Sequence, residues 1–595
     1  MATKVRAEVE RVKRSDLIRV DFNYDPALVA AIKDINGRRF VPRNDGGPFW
    51  TVPLTMESCY ALRESFGKAL TVGEGLKAWA WREVRRAKEM TELAGAEDAE
   101  LKRLPETAPR MYEALFPFQR AGVAFLANGG LCADEPGLGK TLEAIASIHE
   151  AGLQDGPVLV VAPKTSLDVV WEQELSRWQD EPVYILPEGK AKRLKVLESF
   201  REEVVEAGLS GWLVVNPASL RQDYPVLHEV EWNTIIIDEC HVEGLRNPKT
   251  TTAQKMNKLN VANGGLRIAL SGTPMAGKPI QLWGILHWLR PETFGSKWAW
   301  AREWLELSNN GYGTDIGGVL PDKAEAFNKH LTPYVLRRKK EEVVKELPAK
   351  QYVDRWLTME GEQARQYKEM AADAFARLAE AETVSANGVL AELTRLKQFA
   401  LAAWRMDESG RLRPTGTSNK LDHLIELLSE RGITGDQETD EGDSQVVVFS
   451  QFTEVVEMVV RELNARGIET LSITGKVKGA ARKEAQQSFQ GDGGPRVLVM
   501  NVKAGGVAIT LDRADTVVML DEWWSPDVMT QAEDRVHRVS RIHQVTVYYL
   551  RTRGTVEESI MESVDEKGEL DRSIMDDRRA LLGLIKGEDV KKVAA

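Results

Sequence analysis

Ala133-Asp134-Glu135-Pro136-Gly137-Leu138-Gly139-Lys140-Thr141 joins a short apolar approach, ending in Leu131 and Cys132, to a run in which Leu142, Ile145, Ala146 and Ile148 share one helical face. Gly152 is a helix stop. Strand, glycine-rich turn and helix in that order make a phosphate-binding loop. Glycines at 137 and 139, flanking Leu138, let the main chain approach a polyphosphate. The amides there and the positive end of the following helix hold negative charge. Lys140 is placed for the β- and γ-phosphates, and the Thr141 hydroxyl for Mg²⁺. Asp134 stands where the strict pattern has glycine.

Downstream, Val158–Ala162, Trp212–Asn216, Thr234–Ile237 and Arg267–Leu270 have strand length and apolar or β-branched composition. They lead to the turns Pro163-Lys164-Thr165-Ser166, Pro217-Ala218-Ser219, Asp238-Glu239-Cys240-His241 and Ser271-Gly272-Thr273-Pro274. A continuous buried-type strand ending in two acids presents them at the carboxyl edge of an open parallel sheet, where ligands sit. Asp238 is thus a candidate for the Mg²⁺ shell. Glu239 is a candidate for orienting and deprotonating a water. Ser271 and Thr273 suit a switch that senses a γ-phosphate. Gln119, about 20 residues before Lys140, offers an amide donor and acceptor to adenine, or is simply a surface glutamine.

A second α/β alternation starts at Gln445. Strands are predicted at Val446–Phe449, Leu471–Ile473, Val497–Met500, Val517–Leu520 and Val545–Leu550, with helices such as Glu454–Arg466 between them. It has no phosphate loop and carries Lys503-Ala504-Gly505-Gly506 and Gln531–Arg538 instead. Arg535 and Arg538 lie one helical turn apart and share a face. They either offset transition-state charge on a γ-phosphate from an opposing lobe or form surface ion pairs. The intervening residues 280–430 read as mostly helical. Their basic run, Leu336-Arg337-Arg338-Lys339-Lys340, is a solvated face or a link between lobes.

Residues 1–14 are charged and expected to fray. A small α/β unit follows: strand Leu17–Phe22, helix Pro26–Ile35 capped by Asp25, strands Arg38–Val41 and Phe49–Leu54, and helix Met56–Phe66. Residues 74–109 read as a charged helical spacer in which Trp79 and Trp81 pack. The 595 residues allow about three or four domains. At 43% hydrophobic and 28% charged residues, the composition fits a folded chain with a substantial core. No run is long and apolar enough to cross a bilayer, and the N-terminus has no apolar signal region. Cys59, Cys132 and Cys240 make neither a disulfide framework nor a zinc spacing, so a reducing compartment is expected. The net charge of −11 argues against non-specific duplex coating and leaves room for a locally basic groove.

Gln119, the 133–141 loop, Asp238-Glu239-Cys240-His241, Ser271-Gly272-Thr273-Pro274, Leu336-Arg337-Arg338-Lys339, Phe449-Ser450-Gln451-Phe452, Ala504-Gly505-Gly506, Trp524-Ser525-Pro526 and Gln531–Arg538 together resemble a Swi/Snf-family ATPase of helicase superfamily two. Phe22-Asn23-Tyr24-Asp25, Gly37-Arg38-Arg39-Phe40 and Phe49-Trp50-Thr51-Val52-Pro53 resemble the HARP (HepA-related protein) domain of annealing helicases, which in that family helps recognise branched DNA. Without that role they make a small docking domain with Phe40 and Trp50 as core.

The resemblance implies an α/β fold of two RecA-like parallel-sheet lobes with helical insertions and a small N-terminal α/β domain. The implied divisions are a HARP-like domain at 1–73, a helical spacer at 74–111, the ATP-binding lobe at 112–290, insertions and linker at 291–430, a second lobe at 431–555 and a helical tail at 556–595. ATP and Mg²⁺ are the implied cofactors. Lys140, Glu239, Arg535 and Arg538 carry over as catalytic. Gln119, Asp134, Gly137, Leu138, Gly139, Lys140 and Thr141 carry over as nucleotide contacts, and Thr141 and Asp238 as metal holders. Pro163, Lys164, Thr165, Ser450, Gln451, Lys503, Gly505 and Gly506 are the implied DNA contacts, joined by Arg38 and Arg39.

Some residues depart from the family pattern: Pro136 for Met, Gly277 for Asn, Ala508 and Thr510 for Gly and Asn, and Val539-Ser540-Arg541 for Ile-Gly-Gln. None removes a phosphate, metal or water-handling group, but they put coupling to DNA in question. The implied activity is ATP-dependent translocation on duplex or forked DNA, with remodelling or reannealing. A monomer without membrane attachment is expected, in a bacterial nucleoid or phage-infected host. A single-stranded-DNA-binding protein is an expected partner. The rivals are a strand-separating helicase and a junction-binding module with a vestigial ATPase.

Overall fold

Ile235, Ile236 and Ile237 are all fully buried, as a strand covered on both faces requires. Burying each such side chain is worth about 1.5–3 kcal/mol. Their strand, Trp232–Ile237, lies at the centre of a seven-stranded parallel sheet in the computed structural model. That model describes residues 4–12, 15–43, 47–241, 244–275, 278–309, 313–344, 348–380, 386–436, 440, 442–477, 479–501, 509, 511–523, 526–538 and 544–558. Gly277, Lys503, Gly505, Gly506, Ala508, Thr510, Trp524, Ser525, Val539-Ser540-Arg541 and most of the expected tail lie outside the described residues. The chain divides into two compact units. One comprises Met1–Glu135, Gly139–Lys164 and Glu174–Arg338, and the other Pro136–Leu138, Thr165–Gln173 and Lys339–Ala595.

In the first unit the sheet order is Val335–Leu336, Gly130–Cys132, Val261–Leu270, Trp232–Ile237, Pro157–Val161, Gly211–Val215 and Val183–Ile185. Every pairing in it is parallel. The two outer strands are short and were not predicted. Leu336 is apolar but opens a basic run, and Val183-Tyr184-Ile185 is too brief for its alternation to register.

The same unit holds a five-stranded sheet ordered Arg39–Val41, Phe49–Pro53, Ser15–Asp21, Val5–Val12 and Leu70–Val72. Its fourth strand, Val5–Val12, corrects the expectation of a frayed N-terminus. Val5–Val12 pairs antiparallel with Ser15–Asp21, with Arg6 opposite Asp21. Val5 and Ala7 point inward and are fully buried, while Arg6 is exposed. Alternation of period two, not net charge, decided that segment. Asp25 caps the helix Pro26–Lys33 by accepting from Ala27 N at 2.8 Å. The charged helix runs Glu74–Ala94. Its cap residue, Gly73, has no side chain, and Glu8 of the sheet accepts from Leu76 N at 3.1 Å instead.

In the second unit six strands, all parallel, are ordered Gln351–Leu357, Thr546–Thr552, Thr516–Met519, Val446–Ser450, Val497–Asn501 and Thr470–Ile473. Gln351–Leu357 corrects the mostly helical reading of 280–430. It matches Thr546–Thr552 in register along its whole length. The α/β class with two parallel-sheet units and a small N-terminal domain is the architecture found.

Candidate nucleotide site

Strand register assembles the site. Ile237 lies beside Val161 and Ala269, and Leu270 lies beside Cys132. The turns that follow these strands therefore leave one edge of the sheet, the edge where parallel sheets bind ligands. Gly137 and Gly139 have φ of +86° and +87°, a region that strains any residue with a Cβ. A Cβ on Gly139 would also approach within 2.2 Å of Gln119 Nε2. Lys140 opens the helix Lys140–Ala151, and its Nζ donates to the carbonyls of Asp134 at 2.7 Å and Glu135 at 3.2 Å. Gln119 is only 5% exposed, which removes the surface-glutamine reading. Its Oε1 accepts from Phe116 N at 3.0 Å while its Nε2 lies against Gly139.

Asp134 faces inward. It is fully buried, with Arg338 N donating to Oδ1 at 2.8 Å and Arg338 Nε donating to Oδ2 at 2.9 Å. The same guanidinium donates to both oxygens of buried Glu143 at 2.8 Å and to the Phe118 carbonyl. The carboxylate of Asp134, expected at the nucleotide, is engaged by Arg338 beneath the loop instead. Burial pushes Glu143 up to about 8 against the pull of Arg338, and the neighbouring Asp134 charge adds to the rise. One cation between two carboxylates balances when Glu143 keeps its proton. Arg338 was part of the basic run, but its partner lies 204 residues away. Only the closing of Val335–Leu336 beside Gly130–Cys132 brings them together.

Among the described residues Glu239 is the one non-glycine at positive φ, +45°. Such a conformation costs about 1–3 kcal/mol and clusters at functional sites. Asp238 Oδ1 accepts from Glu239 N at 2.9 Å. His241, not singled out by its sequence, ties this turn to the next. Its Nδ1 lies 2.7 Å from Ser271 Oγ and 3.3 Å from Glu239 Oε2, and its Nε2 lies 3.3 Å from Thr273 Oγ1. Burial, then the charges of Arg246 and Lys140, push this imidazole down to about 4. It is neutral at physiological pH. The donor set suits a small hard cation: the Asp238 carboxylate and the Thr141 hydroxyl are both oxygen ligands.

In the second unit Arg535 is 5% exposed and its carbonyl accepts from Leu511 N at 3.0 Å. Arg538 NH2 donates to the Ile509 carbonyl at 3.4 Å. The flanking acids are committed to other residues of the same unit. Asp534 pairs with Lys340 at 2.7 Å and Lys350 at 2.9 Å. Glu533 takes Lys350 at 2.8 Å, Tyr352 at 3.0 Å and Tyr549 at 2.5 Å. Ser450, expected at DNA, is fully buried and donates to Asp521 at 2.5 Å, so it organises its own turn. Gln451 Nε2 donates to the Glu522 carbonyl at 3.3 Å. In the first unit Lys164 is exposed and ion-paired with Glu188, and Arg38 and Arg39 are exposed.

A phosphate loop and an acid pair on one parallel-sheet edge, with a second parallel-sheet unit following in the chain, define a helicase-like P-loop protein. The SNF2-related domain model matches residues 56–402, and the helicase conserved C-terminal domain model matches 419–540; the chain belongs to the SNF2-related family. These matches support the Swi/Snf class and do not reach the HARP subtype. An ATP-dependent helicase of Mycoplasma genitalium is 25% identical over 76% of this chain and 41% of its own length. Chromodomain-helicase-DNA-binding protein 1 of Homo sapiens is 28% identical over 75% of this chain and 26% of its own. The Sulfolobus solfataricus SWI2/SNF2 ATPase core, solved in complex with dsDNA, is 26% identical, with a TM-score of 0.35, covering 80% of this chain and 97% of that one. The chain spans less than half the length of these two curated relatives. Among the described residues no helix is long and apolar enough to cross a membrane.

Proposed function

We propose that this chain is a DNA-stimulated ATPase that translocates on duplex and branched DNA and remodels or reanneals it. The supporting observation is the single sheet edge that gathers Lys140, Asp238, strained Glu239 and the His241–Ser271–Thr273 relay. Relatives named as ATP-dependent helicase and helicase-DNA-binding protein agree with it.

In this reading the amides around Gly137, Leu138 and Gly139 cradle the phosphates. Lys140 leaves its loop carbonyls for the β- and γ-oxygens, and Gln119 braces the loop. Thr141 and Asp238 would hold Mg²⁺, which when bound would draw charge off the phosphate oxygens. Glu239 takes a proton from water as its oxygen bonds to the γ-phosphorus and the bond to the β-bridging oxygen breaks. His241, neutral, fixes the Glu239 carboxylate and couples it to Ser271 and Thr273. Arg535 and Arg538 offset the transition-state charge. DNA contacts at Pro163, Lys164, Thr165, Gln451, Lys503, Gly505 and Gly506 are to phosphate, so sequence preference is weak. The HARP-like reading of residues 1–73, with Arg38 and Arg39 on branched DNA, belongs to the same proposal.

The test is ATP turnover without DNA and with single-stranded, duplex and forked DNA, beside a rewinding assay and a strand-displacement assay. Duplex and fork stimulate, and rewinding exceeds displacement. Lys140→Ala and Glu239→Gln each lower turnover by more than about 100-fold, the scale of a lost acid–base group, with the melting temperature unchanged. Turnover retained in Glu239→Gln refutes its role as base.

A further inference from the structure

The N-terminal region carries a groove that the nucleotide chemistry leaves unused. It measures about 550 Å³ and runs between the helices Met56–Phe66 and Glu74–Ala94. Each helix contributes one stripe at i, i+4 and i+7, which share a face. The first stripe is Met56, Tyr60 and Arg63, and the second is Lys77, Trp81 and Val84. Trp81 was expected to pack. Instead Trp79 packs against the sheet core, while Trp81 is 71% and Tyr60 62% exposed. Rings this open lose favourable burial unless something covers them.

Charge selects the occupant. Among the described residues lining the groove, Arg63 and Lys77 are the charged ones, and both are cationic. Lys77 pairs with Glu74 at 2.7 Å, but that pair is exposed and separated by one helical turn, so an incoming phosphate displaces the carboxylate at little cost. Glu8 is engaged with the helix amide of Leu76. Two exposed ring faces flanked by two cations, over an apolar floor, match a flat heterocycle carrying a phosphodiester.

We propose that this groove binds an unpaired nucleotide of single-stranded DNA, its base stacked on Trp81 or Tyr60 and its phosphate held by Arg63 and Lys77. This rests on the reading of the chain as a DNA motor, because such a motor meets unpaired strands at forks. It places the grip for a separated strand on a surface distinct from Arg38 and Arg39.

The experiment uses the full chain and a fluorescein-labelled oligothymidine, with anisotropy as the readout. In parallel, an oligonucleotide bearing 5-iodouracil is photo-crosslinked and the adduct mapped by mass spectrometry. Expected are adducts on Trp81 or Tyr60, and affinity lowered about tenfold by Trp81→Ala and by Tyr60→Ala, the scale of a lost stacking contact. Arg63→Glu weakens binding and flattens its salt dependence. Duplex-stimulated ATP turnover is unchanged in all three. Undiminished affinity in the Tyr60→Ala/Trp81→Ala double variant, with adducts elsewhere, overturns the proposal. So does a fall in oligomeric mass in that variant, which assigns the groove to a second copy of the chain. A wild-type chain that crosslinks through Trp81 yet shows no DNA-stimulated turnover refutes the motor and leaves the groove standing.

Discussion

His241 shows how one side chain links two turns. Its proton affinity is lowered from 6.5 to about 4 in the folded chain. The unfolded chain therefore binds the proton more readily between those values, and stability falls as pH drops through that window. The stabilisation is complete above pH 6.5 and, for a side chain this buried, amounts to about 3 kcal/mol. Thermal unfolding between pH 7 and pH 4 checks this: His241→Gln flattens the acid-side decline, and an unchanged slope would remove His241 as its source. Arg338 makes the complementary case with charge. Removing the cation strands buried Asp134 and Glu143, so Arg338→Met costs about 3–5 kcal/mol, whereas Glu143→Gln, already neutral in its proton balance, costs little. Denaturant midpoints for the two variants measure the contrast, and equal losses would contradict it.

At the scale of elements, Lys340 and Lys350 are fastened to Glu533 and Asp534 by ion pairs, with Lys340 and Asp534 side chains 7% and 4% exposed. His537 adds a contact between Nε2 and the Pro348 carbonyl at 2.8 Å. Asp534→Ala leaves Lys340 and Lys350 without that carboxylate. It is expected to lower the stability of the second unit by about 3–5 kcal/mol and, through the adjacent Arg535, to depress ATP turnover. Hydrogen exchange localised to 340–352 and 526–538 reads the effect; protection equal to wild type argues against it. This network was illegible beforehand because its members lie far apart in the chain, and a basic run reads the same whether solvated or buried. Continuous apolar strands such as Thr234–Ile237 were legible, since burial on both faces forces their composition. Gln351–Leu357 was not, because its Asp354 and Arg355 break the apolar run, and Val5–Val12 hid its period-two pattern under charge. Trp81 was misread for a related reason: helical spacing places it on a face without saying whether anything covers that face.

For the whole molecule, Lys140 and Glu239 belong to one unit, and Arg535 and Arg538 to the other. Lys140 and Glu239 were readable because phosphate chemistry demands fixed residue types at fixed spacing. Arg535 and Arg538 were readable only as a helical pair, since guanidinium groups serve surfaces and transition states alike. The proposal under test is that Arg535 and Arg538 act in ATP hydrolysis. Its most direct test is steady-state ATP turnover on saturating duplex DNA for wild type, Arg535→Ala and Arg538→Ala, with nucleotide affinity measured alongside. Each variant is expected to bind ATP nearly as tightly as wild type and to lose turnover by about 10³-fold or more, the scale of a lost arginine finger. Wild-type turnover in both variants would contradict it.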